Sequence, residues 1–325
     1  MEVQLFNTQS SKASIFQSGL IEPAKIMGIE KLQKESNYGE GITVALLDTG
    51  CDIIHPNLKD RIVGVRNFTT DNNGDKDNVT DYVRHGTHCA GIICASDIGE
   101  SGIIGYAPKC NLLVLKVLTG SGGRIEWITN AINYAISQNV DIISMSLGTS
   151  SYNENMHNAI KKAVDRNILC VSASGNNGDG RFETDEINYP SGFNESISVG
   201  SVKYSKNGSR FSASNKEIDV VAFGEGFNGR GILSTVPNGL YQEMKGTSMA
   251  TPQITGLLAL LKSYYTKKFG RPLTESEIYS QLIRICVDLG VDYRLQGNGL
   301  PYYKTIDIIN KIKFDEKLID EILNK

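Results

Sequence analysis

Short apolar runs rich in β-branched residues recur along the chain. They are continuous rather than alternating with polar residues, which is typical of strands covered on both faces. The runs lie at 42–48 (ITVALLD), 111–118 (NLLVLKVL), 141–147 (DIISMSL), 168–174 (ILCVSAS), 197–202 (ISVGSV) and 218–224 (IDVVAFG). We predict that these runs form a buried sheet at the centre of the molecule.

Helical patterns lie between several of these strands. Apolar residues spaced three and four apart predict helices over 124–138 and 153–167, and two further helices over 247–270 and 274–289. Strand and helix that alternate in this way favour a parallel sheet with right-handed crossovers. The predicted fold class is α/β, a three-layer, doubly wound, mostly parallel sheet with helices on both faces.

Composition argues against several kinds of partner. The chain has 325 residues and a formal net charge of −3, with Lys and Arg spread among acidic residues, so we expect no nucleic-acid partner. Apolar stretches such as 257–261 are too short to span a bilayer, so we expect no membrane partner. The N-terminus shows no apolar core of signal-peptide length, which predicts a cytoplasmic location.

The cysteines and histidines do not form a metal or redox motif. The 6 cysteines show no C-x-x-C spacing, which argues against zinc and redox sites. His85 and His88 are spaced as a metal pair, but the glutamate of the H-E-x-x-H motif is missing. We predict that the cysteines are reduced thiols in the core.

Ser248 lies between small polar residues and a long apolar segment, in KGTSMATPQITGLLALL. One explanation is a helix cap, because Ser and Thr before an apolar segment accept hydrogen bonds from free backbone N–H groups. The other is a reactive hydroxyl at a helix N-terminus, where an anion is stabilised. This segment alone leaves both explanations open.

Two other polar residues lie in surroundings that suit the second explanation. Asp48 ends an apolar strand in LLDTGCD, and His85 begins the small-residue segment HGTHCAG. A serine becomes a good nucleophile when an imidazole takes its proton and a buried carboxylate fixes the imidazole tautomer. Asn176, directly after a predicted strand and a glycine, offers a donor for the tetrahedral oxyanion. Alone, Asp48 would be interpreted as a turn-forming or calcium-binding carboxylate.

The chain resembles the subtilisin-like serine proteases over about 20–312, and within them the intracellular bacterial subtilisins. The motifs that carry the resemblance are LLDTGCD, HGTHCAG, ISMSLG, SGNNGDG and GTSMATP, in the family's order Asp, His, Ser. The resemblance implies a serine endopeptidase that forms an acyl-enzyme. It makes Asp48 the orienting acid, His85 the base, Ser248 the nucleophile and Asn176 the oxyanion donor.

The same resemblance assigns a substrate groove and a domain organisation. An extended polypeptide substrate is expected to add as a strand between two edges of the groove. The implied substrate-binding residues are Ser121, Gly122, Gly123, Ser146, Leu147, Gly148, Ser174 and Gly175. The implied organisation is an N-terminal extension over 1–20, a peptidase domain over 21–312 and an amphipathic C-terminal helix over 313–325, which is compatible with a homodimer.

The resemblance implies no cofactor for the chemistry and a structural calcium ion. Asn57 stands where relatives carry an acid, and Asp97 lies in the loop SDIGESG, so we expect these two residues to contribute to a calcium site. Other departures from the family pattern are Arg84 in place of a glycine, Phe223 in place of a proline and Gln253 in place of a histidine.

Relatives of the intracellular type carry an N-terminal extension that blocks the groove. EVQLFN lies at a similar position here without the usual proline, and we predict that residues before about Gly19 inhibit a zymogen; a disordered tail is the alternative. Two other functions stay open at this point. One is a dedicated leader peptidase for a modified peptide precursor, and the other is a non-catalytic peptide-binding module.

Overall fold

The computed structural model describes residues 2–5, 9–12, 19–99 and 102–303. The helix predicted over 313–325, and with it the dimer contact expected there, lies outside the described residues. The strands are β1 Glu2–Leu5, β2 Gln9–Lys12, β3 Gly19–Leu20, β4 Thr43–Asp48, β5 Ile62–Asn67, β6 Ile103–Ile104, β7 Asn111–Lys116, β8 Leu118–Thr119, β9 Gly122–Arg124, β10 Ile142–Met145, β11 Leu147–Gly148, β12 Leu169–Ala173, β13 Ile197–Lys203, β14 Val220–Glu225, β15 Ile232–Val236, β16 Leu240–Lys245, β17 Cys286–Val287 and β18 Leu300–Pro301. The helices are α1 Glu22–Ile26, α2 Glu30–Glu35, α3 His85–Cys94, α4 Ile125–Ser137, α5 Glu154–Val164, α6 Thr247–Phe269, α7 Glu275–Arg284 and α8 Tyr293–Gln296.

A seven-stranded sheet forms the centre of the fold. Its order is β14-β13-β12-β10-β4-β7-β5, and each neighbouring pair is parallel. The strands predicted from the continuous apolar runs all lie in this sheet, so the α/β fold class is confirmed. Sequence reasoning missed the edge strand β5, because IVGVRN mixes apolar with polar residues and is only half-buried.

Helices cover both faces of the sheet, as predicted. One face packs against α3 and α6, and the other packs against α4 and α5. Helix α6 is buried along its first four turns, which explains why residues 247–261 include no charged side chain. None of the described helices combines the length and the apolar character that crossing a membrane requires.

The helix predicted over 274–289 is shorter in the structure. Thr274 and Glu277 form a capping box that starts α7, close to the predicted helix start. The helix ends at Arg284, and β17 directly after it pairs antiparallel with β18. The apolar spacing continues past Arg284 because these residues pack in the same core, so the periodicity overstated the helix length.

Two departures from the family pattern form one contact. The Gln253 amide accepts from Phe223 N (3.2 Å) and donates to Phe223 O (2.5 Å), so it binds the backbone of β14 at both atoms. A proline in place of Phe223 has no N–H and could not make the first of these bonds. The bond that Gln253 accepts therefore requires a residue other than proline at position 223.

Candidate active site

The carboxyl end of the sheet brings the predicted catalytic residues to one edge. Asp48 is the last residue of β4, His85 is the first residue of α3, and Ser248 lies in the first turn of α6. Functional residues of open parallel sheets gather at this edge. All three side chains are buried, with exposed fractions of 1% or less.

Asp48 and His85 form a direct contact. The Nδ1–H of His85 donates to Asp48 Oδ1 at 2.7 Å, and Thr49 N donates to the same oxygen at 2.7 Å. Burial alone would lower the pKa of His85, but the charge and the hydrogen bond of Asp48 outweigh it and hold this pKa well above its usual value. The contact also fixes the tautomer, so that Nε2 is the atom available to accept a proton.

Ser248 lies beside this pair without bonding to it. Its Oγ donates to Ser146 O at 3.3 Å, and His85 Nε2 has no hydrogen-bond partner among the described residues. Cys89 is a shared neighbour, because its Sγ lies 3.8 Å from His85 Nδ1 and 3.5 Å from Ser248 O. The structure thus brings the three residues together and forms one of the two predicted hydrogen bonds; such bonds are often long before substrate binds.

Pro252 explains how the Ser248 backbone is held. Four residues after Ser248, this proline lacks the N–H that would bond to Ser248 O within α6. That carbonyl instead accepts from Ser146 Oγ at 3.0 Å and from the Cys89 thiol. A proline four residues after a candidate nucleophile is visible in the sequence, but sequence reasoning missed its role.

Asn176 lies across from the start of α6. Its Oδ1 accepts from Thr247 N and Thr247 Oγ1, both at 2.9 Å. This pair of bonds fixes the amide so that its N–H groups point away from Thr247. The orientation suits a side chain that donates to a developing oxyanion.

Both predicted groove edges flank an extended strand. Strand β1 lies between β9 and β11 and pairs antiparallel with each. Gln4 and Leu5 are opposite Gly148 and Leu147, while Val3 is opposite Gly123. The cleft between these edges therefore accepts a polypeptide in strand conformation, and in this structure the strand is the chain's own residues 2–5.

Two other predicted groove residues, Ser174 and Gly175, lie directly before Asn176 in the chain. Ser174 is fully buried, and its Oγ has no partner among the described residues. Gly175 has φ +123°, and a Cβ there would lie 2.3 Å from Asn188 Nδ2. Asn188, which sequence reasoning missed, donates to Ser174 O (2.8 Å) and Asn177 Oδ1 (2.9 Å). Ser121 is exposed at the turn before β9.

Arg84, directly before His85, adopts a conformation that favours glycine. Its φ is 73° and its ψ is −8°, in the left-handed region. A side chain in this region costs about 1 kcal/mol. This backbone conformation therefore favours glycine at position 84, the residue that the family resemblance leads us to expect there.

We expect Arg84→Gly to stabilise the protein by about 1 kcal/mol, because glycine adopts this conformation without strain. Chemical denaturation of both proteins measures the difference. Arg210→Gly is the matched control, since Arg210 is exposed and is not among the residues with positive φ. A loss of stability in Arg84→Gly as large as in the control would contradict the prediction.

The contacts of Asn57 do not fit a calcium ligand. Its Nδ2 donates to Ser96 O at 2.7 Å and to Ile103 O at 3.3 Å, and its Oδ1 accepts from Tyr241 OH at 2.5 Å. Calcium takes oxygen ligands, and here an N–H group already satisfies the two carbonyls that a cation would use. Asp97 accepts from Gly99 N at 2.9 Å within its own exposed turn. The calcium role of Asp97 stays a prediction.

We expect Asn57→Asp to make stability depend on calcium. Without a cation the new carboxylate would face two carbonyl oxygens, at a cost of about 3 kcal/mol. Melting temperatures with excess calcium and with EDTA, compared with the same pair for the wild type, measure this dependence. An equal calcium response in the two proteins would contradict it.

A second possible metal cluster coincides with the catalytic candidates. Among the described residues, ligand atoms of Asp48, His85 and Cys89 lie within 4.8 Å of one another. The His85 Nδ1 atom in this cluster already donates to Asp48. His88 points elsewhere, since its Nε2 lies 3.0 Å from both Ile232 O and Gln242 O. The spacing of the two histidines is therefore a packing feature.

Serine hydrolases are the class of enzyme whose chemistry uses a carboxylate, an imidazole and a hydroxyl, and this fold gathers those groups at one edge. A sequence model described as the subtilase family matches residues 39–299. The chain belongs to this family and is a subtilisin-like serine endopeptidase.

Individual relatives agree with the family match. The chain is similar to an intracellular serine protease of Paenibacillus polymyxa, with 47% identity over 91% of this chain and 90% of that protein. It is similar to the major intracellular serine protease of Bacillus subtilis, with 46% identity over 94% of this chain and 95% of that protein. Thermitase of Thermoactinomyces vulgaris is 37% identical over 73% of this chain and 81% of that protein.

Proposed function

We propose that the chain hydrolyses peptide bonds with Ser248 as nucleophile, His85 as general base and Asp48 as orienting acid. Ser248 Oγ attacks the peptide carbonyl carbon while its proton passes to His85 Nε2. The tetrahedral intermediate then expels the amine, which takes that proton, and leaves an acyl-enzyme. Water, deprotonated by His85, releases the second product. The 2.7 Å contact between Asp48 and His85 is the observation that carries this proposal.

The bonds of the buried site support these roles. The Nε2 atom of His85 has no partner among the described side chains and backbone groups, so it can take the serine proton. For this transfer the Ser248 hydroxyl must leave Ser146 O and donate to His85 Nε2 instead. The Asn176 amide, held by Thr247, and the backbone N–H of Ser248 would then bind the oxyanion.

Polypeptide substrates would bind as β1 does. A substrate strand pairs with Gly123 and Arg124 on one side and with Leu147 and Gly148 on the other, so backbone atoms supply most of its contacts. Recognition through backbone atoms suits an enzyme that cleaves flexible or unfolded chains. The two intracellular relatives support a cytoplasmic location.

Residues before about Gly19 would act as an inhibitory segment. Strand β1 fills the groove up to Leu147, and β2 pairs with β16 from Lys245 onward, three residues before Ser248. From Gly19 the chain is held differently, since β3 pairs with β6 on the body of the fold. Removal of the segment before Gly19 would open the groove.

A cleavage assay with a denatured polypeptide and the same polypeptide in its folded form tests the proposed function. We expect the wild type to cleave the denatured form faster, and Ser248→Ala to cleave neither. Mass spectrometry of the fragments identifies the cut bonds. Equal cleavage by Ser248→Ala would contradict the proposed role of Ser248.

A further inference from the structure

A buried carboxylate outside the catalytic trio contacts both segments that carry Asp48 and His85. Asp81 lies four residues before His85 and is 5% exposed. We propose that Asp81 is a positioning residue, which sets the geometry of the Asp48–His85 pair through Thr49 and the first turn of α3. This inference rests on the proposed function, because it assumes that the Asp48–His85 pair is catalytic.

On one side, Asp81 holds the start of α3. Its Oδ2 accepts from Thr87 N (2.8 Å) and Thr87 Oγ1 (2.7 Å), and its Oδ1 accepts from Arg84 N (2.8 Å) and Val83 N (3.1 Å). The N-cap residue Arg84 makes no side-chain cap bond. Since the first N–H groups of a helix need acceptors, Asp81 supplies the cap that Arg84 does not.

On the other side, Asp81 holds the residue that follows Asp48. Its Oδ1 accepts from Thr49 Oγ1 at 2.8 Å, and that hydroxyl accepts from Gly86 N at 2.9 Å. Thr49 N in turn donates to Asp48 Oδ1, the oxygen that also accepts from His85. A continuous set of hydrogen bonds therefore runs from Asp81 through Thr49 to the Asp48–His85 contact.

Two further contacts leave these segments little room to move. The fully buried Lys116 donates from Nζ to Thr49 O (2.6 Å) and to Thr80 O (3.1 Å), so one ammonium holds the neighbours of Asp48 and Asp81. A Cβ on Gly86 would lie 2.0 Å from Gly50 O, which shows how closely the two turns pack. The Asp48–His85 distance is thus fixed by the surrounding bonds as well as by the pair itself.

Asp81→Asn tests this role, because an amide keeps the size of the side chain but places an NH₂ group against the Thr87 donors or the Thr49 hydroxyl. We expect kcat to fall by about 10²-fold, since small displacements of catalytic groups have effects of this order, while KM changes by less than about threefold. Rates on the full chain are normalised to the fraction that has lost its N-terminal segment, measured by mass spectrometry.

Asp219→Asn is the matched control. Asp219 is also a buried carboxylate, accepting from Ser198 N at 2.8 Å and from Tyr279 OH at 2.6 Å, but it lies on other elements of the fold. We expect this variant to keep kcat within about twofold. If Asp81→Asn does not fold, Thr49→Val and Thr49→Ser replace it: the valine removes the bridging hydroxyl and lowers kcat, and the serine keeps the hydroxyl and restores kcat.

A double-mutant cycle separates positioning from general destabilisation. In an Asp48→Asn background the alignment of the pair no longer matters, so we expect Asp81→Asn, or Thr49→Val, to cost less than about threefold there. An equal loss in both backgrounds, or a kcat within about twofold of wild type, would overturn the inference. If the Ser248→Ala variant cleaves at the wild-type rate, the proposed function is overturned instead. The two failures are therefore distinguishable.

Discussion

Asp48→Asn is expected to lower kcat by about 10⁴-fold, because an amide no longer fixes the His85 tautomer or stabilises the imidazolium that forms in the transition state. This loss corresponds to about 5 kcal/mol of transition-state stabilisation. His85→Ala and Ser248→Ala should each cost at least as much. Combined substitutions should cost little more than the largest single one, because the three groups act as a unit.

The pH dependence of activity distinguishes this effect on catalysis from a loss of folding, because the substitution should shift that dependence in one direction. His85 must be neutral at Nε2 to act as a base, so activity rises with pH through its pKa. Asp48 holds that pKa above its usual value, which places the acid limb of the wild type above that of an ordinary histidine. Asp48→Asn removes the carboxylate charge that opposes burial, and burial lowers the pKa of His85. The residual activity should therefore have its acid limb at lower pH.

The measurement is kcat/KM against pH for the two proteins, with circular dichroism to show that both are folded. Asp219→Asn serves as the control, since it changes a buried carboxylate far from the catalytic groups. An unchanged acid limb in Asp48→Asn, or a kcat within tenfold of wild type, would contradict the role proposed for Asp48.

A variant that lacks residues 1–18 is expected to show an initial kcat/KM about 10²-fold above that of the intact chain. A tethered segment acts at an effective concentration of about 1 mM, so an intrinsic dissociation constant of about 10 μM would occlude the groove by this factor. Strand β1 supplies the occlusion, because it pairs with both groove edges.

A pair of point substitutions in the intact chain removes the ambiguity of a deletion. Val3 is 1% exposed and lies opposite Gly123, so Val3→Asp should release β1 and raise the initial rate. Glu2 is exposed, and Glu2→Gln should leave the rate unchanged. Intact-mass measurement at each time point confirms which chains are still unprocessed. Equal initial rates for the intact chain, the deletion and Val3→Asp would contradict the inhibitory role.

The sheet could be predicted from the sequence because its signal is local. Continuous apolar runs identified β4, β7 and β12 to within one or two residues, since a strand covered on both faces has no polar side. Strand β5 has an exposed side and a mixed pattern, and α7 ends where β17 begins pairing with a distant strand. Both errors come from packing and pairing that the local pattern of apolar residues does not show.

The sequence predicts those site residues whose side-chain type itself indicates their chemical role. Asp48, His85 and Ser248 follow from the requirements of a serine nucleophile, and their motifs fix their order along the chain. The role of Asp81 depends on hydrogen bonds to backbone atoms of other segments, and such bonds cannot be predicted from the residue type. Asn57 shows the converse, because its position in the family motif suggested a metal ligand and its amide donates to two carbonyls.

In the proposed mechanism the Asp48–His85 pair activates the hydroxyl of Ser248. A fluorophosphonate probe followed by peptide mass spectrometry measures this activation, because the probe bonds covalently to an activated serine oxygen. We predict a single labelled position, Ser248, with labelling lost in Ser248→Ala and strongly slowed in His85→Ala. Labelling at another serine, or equal labelling of Ser248 in wild type and His85→Ala, would show that the Asp48–His85 pair does not activate Ser248.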